Sequence, residues 1–409
     1  MLTDLLKTKL IASILLSLSA TPVLSQDQNN TLEYIPSVNS EELEGSLKPI
    51  IIADRVEMPA SLLGGDIEAL GGAVTISEPG ASFIKVHFAE FDIPEGSWVT
   101  VSNKDGSEEY RYSNSQRDDF TVSDDEDGVN SWASMSITGD TAIVRLHQHE
   151  ATTWVPTQNK LKISHYMKGY SENEIAYRVR TLSTCGNNER KDVACYERSH
   201  PTEFNYAKAV GRLVMGRGLC TAWRVSTDNR VFTNNHCMST SSSIRGSEVW
   251  FNYQRSSCGG QRMNQVVKVS GQSLLKTDYT LDYTLFTVNN FSAIKQFGYL
   301  GLEVRDPQKN EVIYIAQHGS GAPKQFGIES DYNSGNVCRV DAPSRSGRGS
   351  GTDLGYYCDT TGGSSGSPVL ARSSNKAIGL HHYGGCLNQG VKISRIWPQV
   401  RSFFNNQVP

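Results

Sequence analysis

Between residues 51 and 168 apolar and polar residues alternate with a period of two. In "SFIKVHFAEF" (82–91), Ile84, Val86 and Phe88 alternate with Lys85 and His87, which predicts a strand with one apolar face. "WVTVSNKDGSEEYRYS" (98–113) reads as two strands about an Asp105-Gly106 turn. "WASMSITGDTAIVRLH" (132–147) repeats the pattern, with Ala133, Met135 and Ile137 before a Thr-Gly-Asp turn and Ala142, Val144 and Leu146 after it. Short strands separated by turns predict a β-sandwich. The acidic run "DDEDG" (124–128) lacks the spaced ligands of a calcium loop and reads as a solvated turn.

Residues 181–409 are also rich in β pattern, with Gly and Ser in the connections. "GSEVWFNYQ" (246–254), "DYTLFTV" (282–288) and "NEVIYIAQ" (310–317) are strand candidates. "IWPQVRSFF" (396–404) changes to helical spacing, with Pro398 where a helix can begin and Val400, Phe403 and Phe404 on one face. A two-barrel β domain closed by a C-terminal helix fits this order. The fold class is all-β.

The N-terminus reads as a secretory signal over residues 1–25. Lys7 and Lys9 precede the apolar run "LIASILLSLSA" (10–20), which is too short to span a bilayer, and Val23 and Ser25 suit cleavage before Gln26. Charge divides the rest. Residues 26–180 carry 26 Asp and Glu against 12 Lys and Arg, a balance of −14, whereas residues 181–409 carry 16 against 25, a balance of +9. Segments of opposite charge in one chain attract. All eight cysteines lie after residue 184, so only the second segment is expected to be stapled, by four disulfides in an oxidising compartment. The organisation expected is a signal peptide (1–25), an N-terminal β domain (26–180) and a second β domain (181–409). Asn29 and Asn290 lie in glycosylation sequons.

Three stretches carry chemistry. In "GGSSGSPVL" (362–370), Ser365 sits between Gly363 and Gly366 in a tight, approachable turn, and glycine at 363 lets a backbone N–H face a developing oxyanion. "VFTNNHC" (231–237) ends a strand-like run at His236, next to Cys237. A disulfide from Cys237 to Cys220 in "GLCTAW" would lock the loop that holds His236. A carboxylate must then orient the imidazole. "TDYTLDYTLFTV" (277–288) offers two, Asp278 and Asp282, in nearly identical surroundings.

This arrangement resembles the chymotrypsin-like serine proteases, over roughly residues 181–409. It is most similar to the secreted lysyl endopeptidases and, around the serine, to the glutamyl endopeptidases. "GLCTAW…NNHC", "VWFNYQRSSC", "LDYTLFTV" and "TTGGSSGSPVL" carry the likeness. The family's acid pattern is Asp, two residues, Leu, two residues, then Leu or Val. Asp282 meets it with Leu285 and Val288, whereas Asp278 would place a second aspartate on the same buried strand. The resemblance therefore implies a catalytic set of His236, Asp282 and Ser365, with an oxyanion hole from the N–H groups of Gly363 and Ser365. Asp278 is left as the loop entering the strand, or as a copy with no role.

For the substrate pocket, the resemblance places Asp359 where trypsin-like enzymes keep an aspartate, which favours Arg or Lys before the cut bond. Gly384 and Gly390 fall at open pocket walls. His381 matches the histidine by which glutamyl endopeptidases bind an acidic side chain, and His382 better matches one of the lysyl endopeptidases. The disulfides implied are Cys220–Cys237, Cys185–Cys386, Cys195–Cys258 and Cys338–Cys358. The residue before the nucleophile is Ser364 and not an aspartate, so activation through a new N-terminus is not expected. Residues 26–180 would be a propeptide, removed after Arg180, that inhibits or helps to fold its own enzyme.

A secreted, monomeric serine endopeptidase made as a zymogen is the reading. An inactive homologue that binds other proteins, a Glu-specific enzyme and a permanently retained carbohydrate- or protein-binding sandwich are the alternatives. No cofactor, nucleic acid or membrane partner is expected. The basic residues are scattered, no metal-ligand spacing occurs, and His147 and His149 alternate on a strand as surface residues.

Overall fold

In a computed structural model, the chain is described over residues 47–58, 67, 72–155, 158–178 and 184–409. The signal segment, Asn29, Arg180 and the boundary at 180–181 lie outside the described residues. The protein is mostly β and is built as an N-terminal sandwich followed by a double barrel.

The sandwich has a four-stranded sheet in the order Ala73–Ser77, Thr141–His147, Trp98–Ser102, Glu109–Tyr112. A second sheet runs Ala53–Glu57, Lys160–Gly169, Phe83–Asp92, Trp132–Ser134, Phe120–Thr121, with Ile137–Thr138 also on Phe83–Asp92. Val74, Val99, Val101 and Val144 from the first pack on Ile84, Val86, Phe88 and Trp132 from the second. The Asp105-Gly106 turn closes the expected hairpin, pairing Ser102 with Glu109. The Thr-Gly-Asp turn does not. Ile137–Thr138 pairs in one sheet and Thr141–His147 in the other, so this turn carries the chain across the sandwich.

Six strands close the first barrel: Val210–Met215, Gly218–Arg224, Val231–Thr233, Tyr283–Val288, Val267–Asp278 and Ser247–Phe251. The second half is an eight-stranded antiparallel sheet, whose central strands Ile313–Gln317, Pro368–Ala371, Lys376–Tyr383 and Asn388–Lys392 carry most of the site loops. The terminal helix spans Ile393–Val400, so it begins five residues before Pro398. Ile393, Ile396 and Val400 bury its inner face, and burial of that face outweighs the hydrogen bond that proline forfeits.

One sequence expectation fails instructively. Lys85 and His87 do not face water: each is 2% exposed. Lys85 is covered by the outer face of the first barrel, whereas His87 stacks on His165 and pairs with Glu126 within the sandwich. Lys85 Nζ lies 2.6 Å from Glu248 Oε1, and Lys268 Nζ lies 2.5 Å from Glu108 Oε1. Glu248 also accepts from the backbone N–H and hydroxyl of Ser136 and, at 2.7 Å, from Trp250 Nε1. The charges are thus paired and hydrogen-bonded, as burial requires. Around them Ile52, Phe83, Met167 and Ile175 of the sandwich pack on Val214, Leu219, Trp250 and Tyr253 of the barrel. Arg217–Asp54 and Arg255–Glu172 pairs join the two parts in the sense of their net charges, while Lys85–Glu248 runs against it.

The eight cysteines form four disulfides, Cys185–Cys386, Cys195–Cys258, Cys220–Cys237 and Cys338–Cys358. These are the pairs that the resemblance implied. Within the acidic run, Asp127 accepts the N–H groups of Val129, Asn130 and Ser131, which holds its carboxyl well below the usual range and makes the run a self-capped turn. No helix among the described residues is long and apolar enough to cross a membrane.

Candidate active site

The buried strand Val231–Thr233 ends in a turn that delivers His236. The turn is tied at three points. The Cys220–Cys237 disulfide holds it from behind, Thr233 Oγ1 donates to the Thr221 carbonyl at 2.9 Å, and Asn234 Nδ2 donates to the Asp282 carbonyl at 2.8 Å. His236 meets the Asp282 carboxylate twice. Its backbone N–H donates to Oδ1 at 2.9 Å and its Nδ1 lies 2.7 Å from Oδ2. An ionised carboxylate only accepts, so Nδ1 carries the proton and Nε2 is left with its lone pair. Nε2 is buried without a hydrogen-bond partner among the described residues.

The repeat that offered two aspartates is a hairpin end. Val267–Asp278 pairs with Tyr283–Val288, Asp278 lies opposite Tyr283, and the turn runs through Tyr279 to Asp282. Asp278 is therefore the last residue of the earlier strand and not a loop leading into the next. Its Oδ1 accepts the Leu281 N–H at 2.7 Å, and its Oδ2 accepts from Gln399 Nε2 at 3.2 Å. Asp282 closes the turn in the left-handed region at φ 43°, a conformation open to Asp at modest cost. That turn points its carboxylate at His236 and not along the strand.

Two groups hold Asp282 from the far side: His382, which the resemblance had set in the substrate pocket, and Arg348, which sequence reasoning did not assign. His382 Nδ1 lies 3.1 Å from Asp282 Oδ2, and its Nε2 lies 2.6 Å from Asp353 Oδ2. Arg348 Nη1 reaches Asp282 Oδ1 at 3.3 Å and the Tyr279 carbonyl at 2.8 Å. Burial opposes ionisation of Asp282, but His236 and His382 outweigh it, and its carboxyl stays well below the ordinary range. Burial likewise opposes charge on His382. The Asp353 and Asp282 carboxylates win, and its pKa is pushed up to about 9. His382 is 1% exposed and sits behind the acid, so it is not placed to touch a substrate. The resemblance singled out His382 but for the pocket, and "GTDLG" gave no signal for Asp353.

Ser365 lies in a turn built on two left-handed glycines, Gly363 at φ 93° and Gly366 at φ 89°. Ser364 N–H donates to the Thr361 carbonyl at 2.9 Å, and Ser364 Oγ donates to Gln317 Oε1 at 2.5 Å. Neutral hydrogen bonds thus brace the turn at the position where the resemblance would have an ion pair. The Gly363 carbonyl accepts from Thr221 Oγ1 at 2.9 Å, and the Ser365 carbonyl accepts the Thr221 N–H at 2.8 Å. Thr221 follows Cys220, so one strand brings the serine turn and the histidine turn to one cleft. The N–H groups of Gly363 and Ser365 have no acceptor within the described residues, which suits them to an oxyanion. Ser365 Oγ makes no hydrogen bond to His236 Nε2 in this arrangement. Such contacts tighten when substrate binds.

The pocket candidates are placed differently. Asp359 is 1% exposed, and its oxygens accept the N–H groups of Cys185 at 2.9 Å and Glu189 at 2.7 Å. Its carboxylate ties the start of the barrel domain to the serine loop and is not turned out to a substrate. His381 Nδ1 pairs with Tyr356 Oη at 2.7 Å, and burial pushes its pKa down to about 3. Gly390 pairs with His381 in the neighbouring strand, where a side chain would meet the Leu380 carbonyl at 3.0 Å, and Gly384 lies just past the end of the Lys376–Tyr383 strand. Cys220, His236 and Cys237 cluster as metal ligands would, but both sulfurs are spent in the disulfide.

Comparison with known proteins adds the following. The model of the trypsin-like peptidase domain matches residues 220–380. The chain is 30% identical over 338 residues, 78% of its length and 79% of the relative's, to Secreted RxLR effector protein 73 of Plasmopara viticola. Among solved structures, a Glu endopeptidase aligns at a TM-score of 0.40 with 19% identity, over 55% of this chain and 100% of that one. The Rv3671c protease in its inactive form aligns at 0.36 with 12% identity, over 51% and 94%.

Proposed function

The chain belongs to the trypsin-like, chymotrypsin-fold serine proteases, and we propose that it is a secreted endopeptidase working through Ser365, His236 and Asp282. The observation that carries this reading is the doubly bonded His236–Asp282 pair, which leaves Nε2 buried without a hydrogen-bond partner among the described residues, while Thr221 bonds both the Ser365 turn and Thr233 ahead of His236. Ser365 Oγ attacks a peptide carbonyl while His236 Nε2 takes its proton. The N–H groups of Gly363 and Ser365 hold the oxyanion. His236 then gives the proton to the leaving amine, and a water repeats the sequence on the acyl-enzyme. Asp282 stays ionised throughout.

Cleavage after Arg or Lys is the preference that the resemblance implies, without Asp359, whose oxygens are spent on the N–H groups of Cys185 and Glu189. Cleavage after Glu would need His381 to protonate, against a pKa of about 3, and to release Tyr356. The N-terminal sandwich acts as an intramolecular partner. Its strand Ile50–Ile51 lies antiparallel on Leu219 and Gly218 at the open edge of the first barrel, and Ile50 reaches Gly363. Cutting after Arg180 would sever its covalent link to the barrels.

A second reading, an inactive homologue that binds a partner, is favoured by one observation: the relative's name calls it an effector. Fluorophosphonate labelling of the secreted protein, lost in Ser365→Ala, separates the two readings. Profiling on peptide libraries with Lys, Arg or Glu before the bond then tests the pocket, and preference for Glu would overturn the basic preference.

A further inference from the structure

Arg212 lies on Val210–Met215, paired with Thr221 on one side and Trp250 on the other. It is 1% exposed, and its guanidinium stands 4.9 Å from the Trp250 ring centroid and 4.6 Å from that of Tyr253. None of its three nitrogens has an acceptor among the described residues. Lys85, Glu248 and Lys268 on the same interface are fully paired, so this one cation stands out. A buried guanidinium without a hydrogen bond is costly, and cation–π contact returns only part of that cost. Such a group calls for an explanation in function.

Its cover supplies one. A side chain added at Gly321 would lie 3.4 Å from Arg212 Nη2, 3.0 Å from Ile175 and 3.7 Å from Ile52, and both isoleucines pack in one cluster with Trp250 and Tyr253, the rings beside the guanidinium. The segment holding Ile52 continues the strand that runs past the oxyanion glycine, with Ile50 beside Gly363 and Ile52 N–H donating to the Arg217 carbonyl at 2.8 Å. Side chains two apart on a strand share a face. An extended peptide in place of this segment, with one residue against Gly363, therefore sets the residue two further on at Arg212. The serine turn is held by this edge strand, whose Thr221 N–H donates to the Ser365 carbonyl, and by the Lys376–Tyr383 strand, whose His381 carbonyl accepts the Gly366 N–H.

We propose that Arg212 is a carboxylate-recognition residue, covered by Ile52 and Ile175 in the uncut chain and exposed by departure of the sandwich, which selects substrates with Asp or Glu on the leaving-group side of the cut bond. A guanidinium takes a carboxylate through two parallel N–H bonds, and Arg212 has all of its donors unspent. The inference rests on the endopeptidase reading and deepens it.

The test starts from the full chain, folded with its sandwich and then cut at a specific protease site placed between residues 178 and 184. Internally quenched peptides with one acyl side and Glu or Gln at each of the first four positions after the bond are compared by kcat/KM. At one position Glu is expected to be preferred by at least ~10-fold, a modest return for a bidentate charged pair. Arg212→Met should bring that ratio to near one, and Arg212→Lys should keep part of it, which also shows that the site folds with a cation there. Equal rates at all four positions in the wild type, or a ratio that survives Arg212→Met, would overturn the proposal. Binding of the same Glu and Gln peptides to the cut Ser365→Ala chain gives the answer without turnover. Tighter binding of Glu that Arg212→Met removes sustains the recognition role even if fluorophosphonate labelling and hydrolysis fail, in which case only the endopeptidase reading falls.

Discussion

His382 and His236 share one carboxylate oxygen: the Nδ1 atoms of the two rings lie 3.1 and 2.7 Å from Asp282 Oδ2. The acid is thus pinned from both sides, and Asp353 pins His382 in turn. This chain converts a side chain on a left-handed turn into a fixed acceptor.

Asp282→Asn is expected to lower kcat by about 10⁴, because an amide facing His236 Nδ1 stabilises the wrong tautomer. Asp278→Asn removes only a turn cap and should cost ~0.5–1 kcal/mol of stability with turnover nearly kept. Single-turnover kinetics on the two variants checks this, and equal losses would refute the assignment.

His382 makes stability pH-dependent. An unfolded histidine titrates near ~6.5, and the folded value is raised to about 9. The charged form is therefore favoured by folding. Its contribution is complete below ~6.5 and is lost as pH rises through about 9. Urea midpoints should fall between pH 7 and 9.5 in the wild type, and His382→Gln should flatten that slope. The same variant should disturb kcat more than KM, since His382 acts through Asp282 and touches no substrate.

Much of this was legible in the chain. The period-two runs gave the sandwich, because Val99, Val101 and Val144 do face its core. The serine turn and His236 were marked by glycines and by a cysteine, residues whose backbone or covalent demands are local. What escaped was decided by tertiary neighbours. Lys85 and His87 alternate as an exposed face would, yet the barrel claims Lys85 while Glu126 and His165 claim His87, and period alone cannot say what covers a face. Asp359 was read as a pocket carboxylate because nothing in "CDTTGGSS" reveals that Cys185 and Glu189 claim it. The role of His382 needed Asp353, which lies 29 residues away in sequence.

The buried charges of the interface give a third expectation. Glu248→Gln leaves Lys85 without its anion in a site closed to water, while Lys268 keeps Glu108. The uncut chain should lose ~3–5 kcal/mol by chemical denaturation. After cleavage and loss of the sandwich, the same substitution lies on an uncovered surface and should cost less than ~1 kcal/mol. A loss of equal size in both forms would mean that the sandwich does not leave.

The final expectation concerns the serine turn. Gly366 stands at φ 89°, and an added Cβ would lie 2.1 Å from the Thr221 carbonyl oxygen and 2.6 Å from Thr233 Oγ1. Both atoms are fixed, since they bond to each other and Thr221 follows the Cys220 disulfide. Gly366→Ala must therefore move the turn and not its neighbours. The N–H of Ser365 shifts with it, and loss of one oxyanion donor costs ~10²–10³ in kcat. Gly335 has a similar φ of 77° with nothing within 4 Å of an added Cβ. Gly335→Ala bears the backbone strain alone, ~1–2 kcal/mol of stability, and should leave kcat unchanged. Thermal denaturation and kcat measured side by side separate the two effects, and a Gly366→Ala enzyme of wild-type turnover would show that the turn is not held as described.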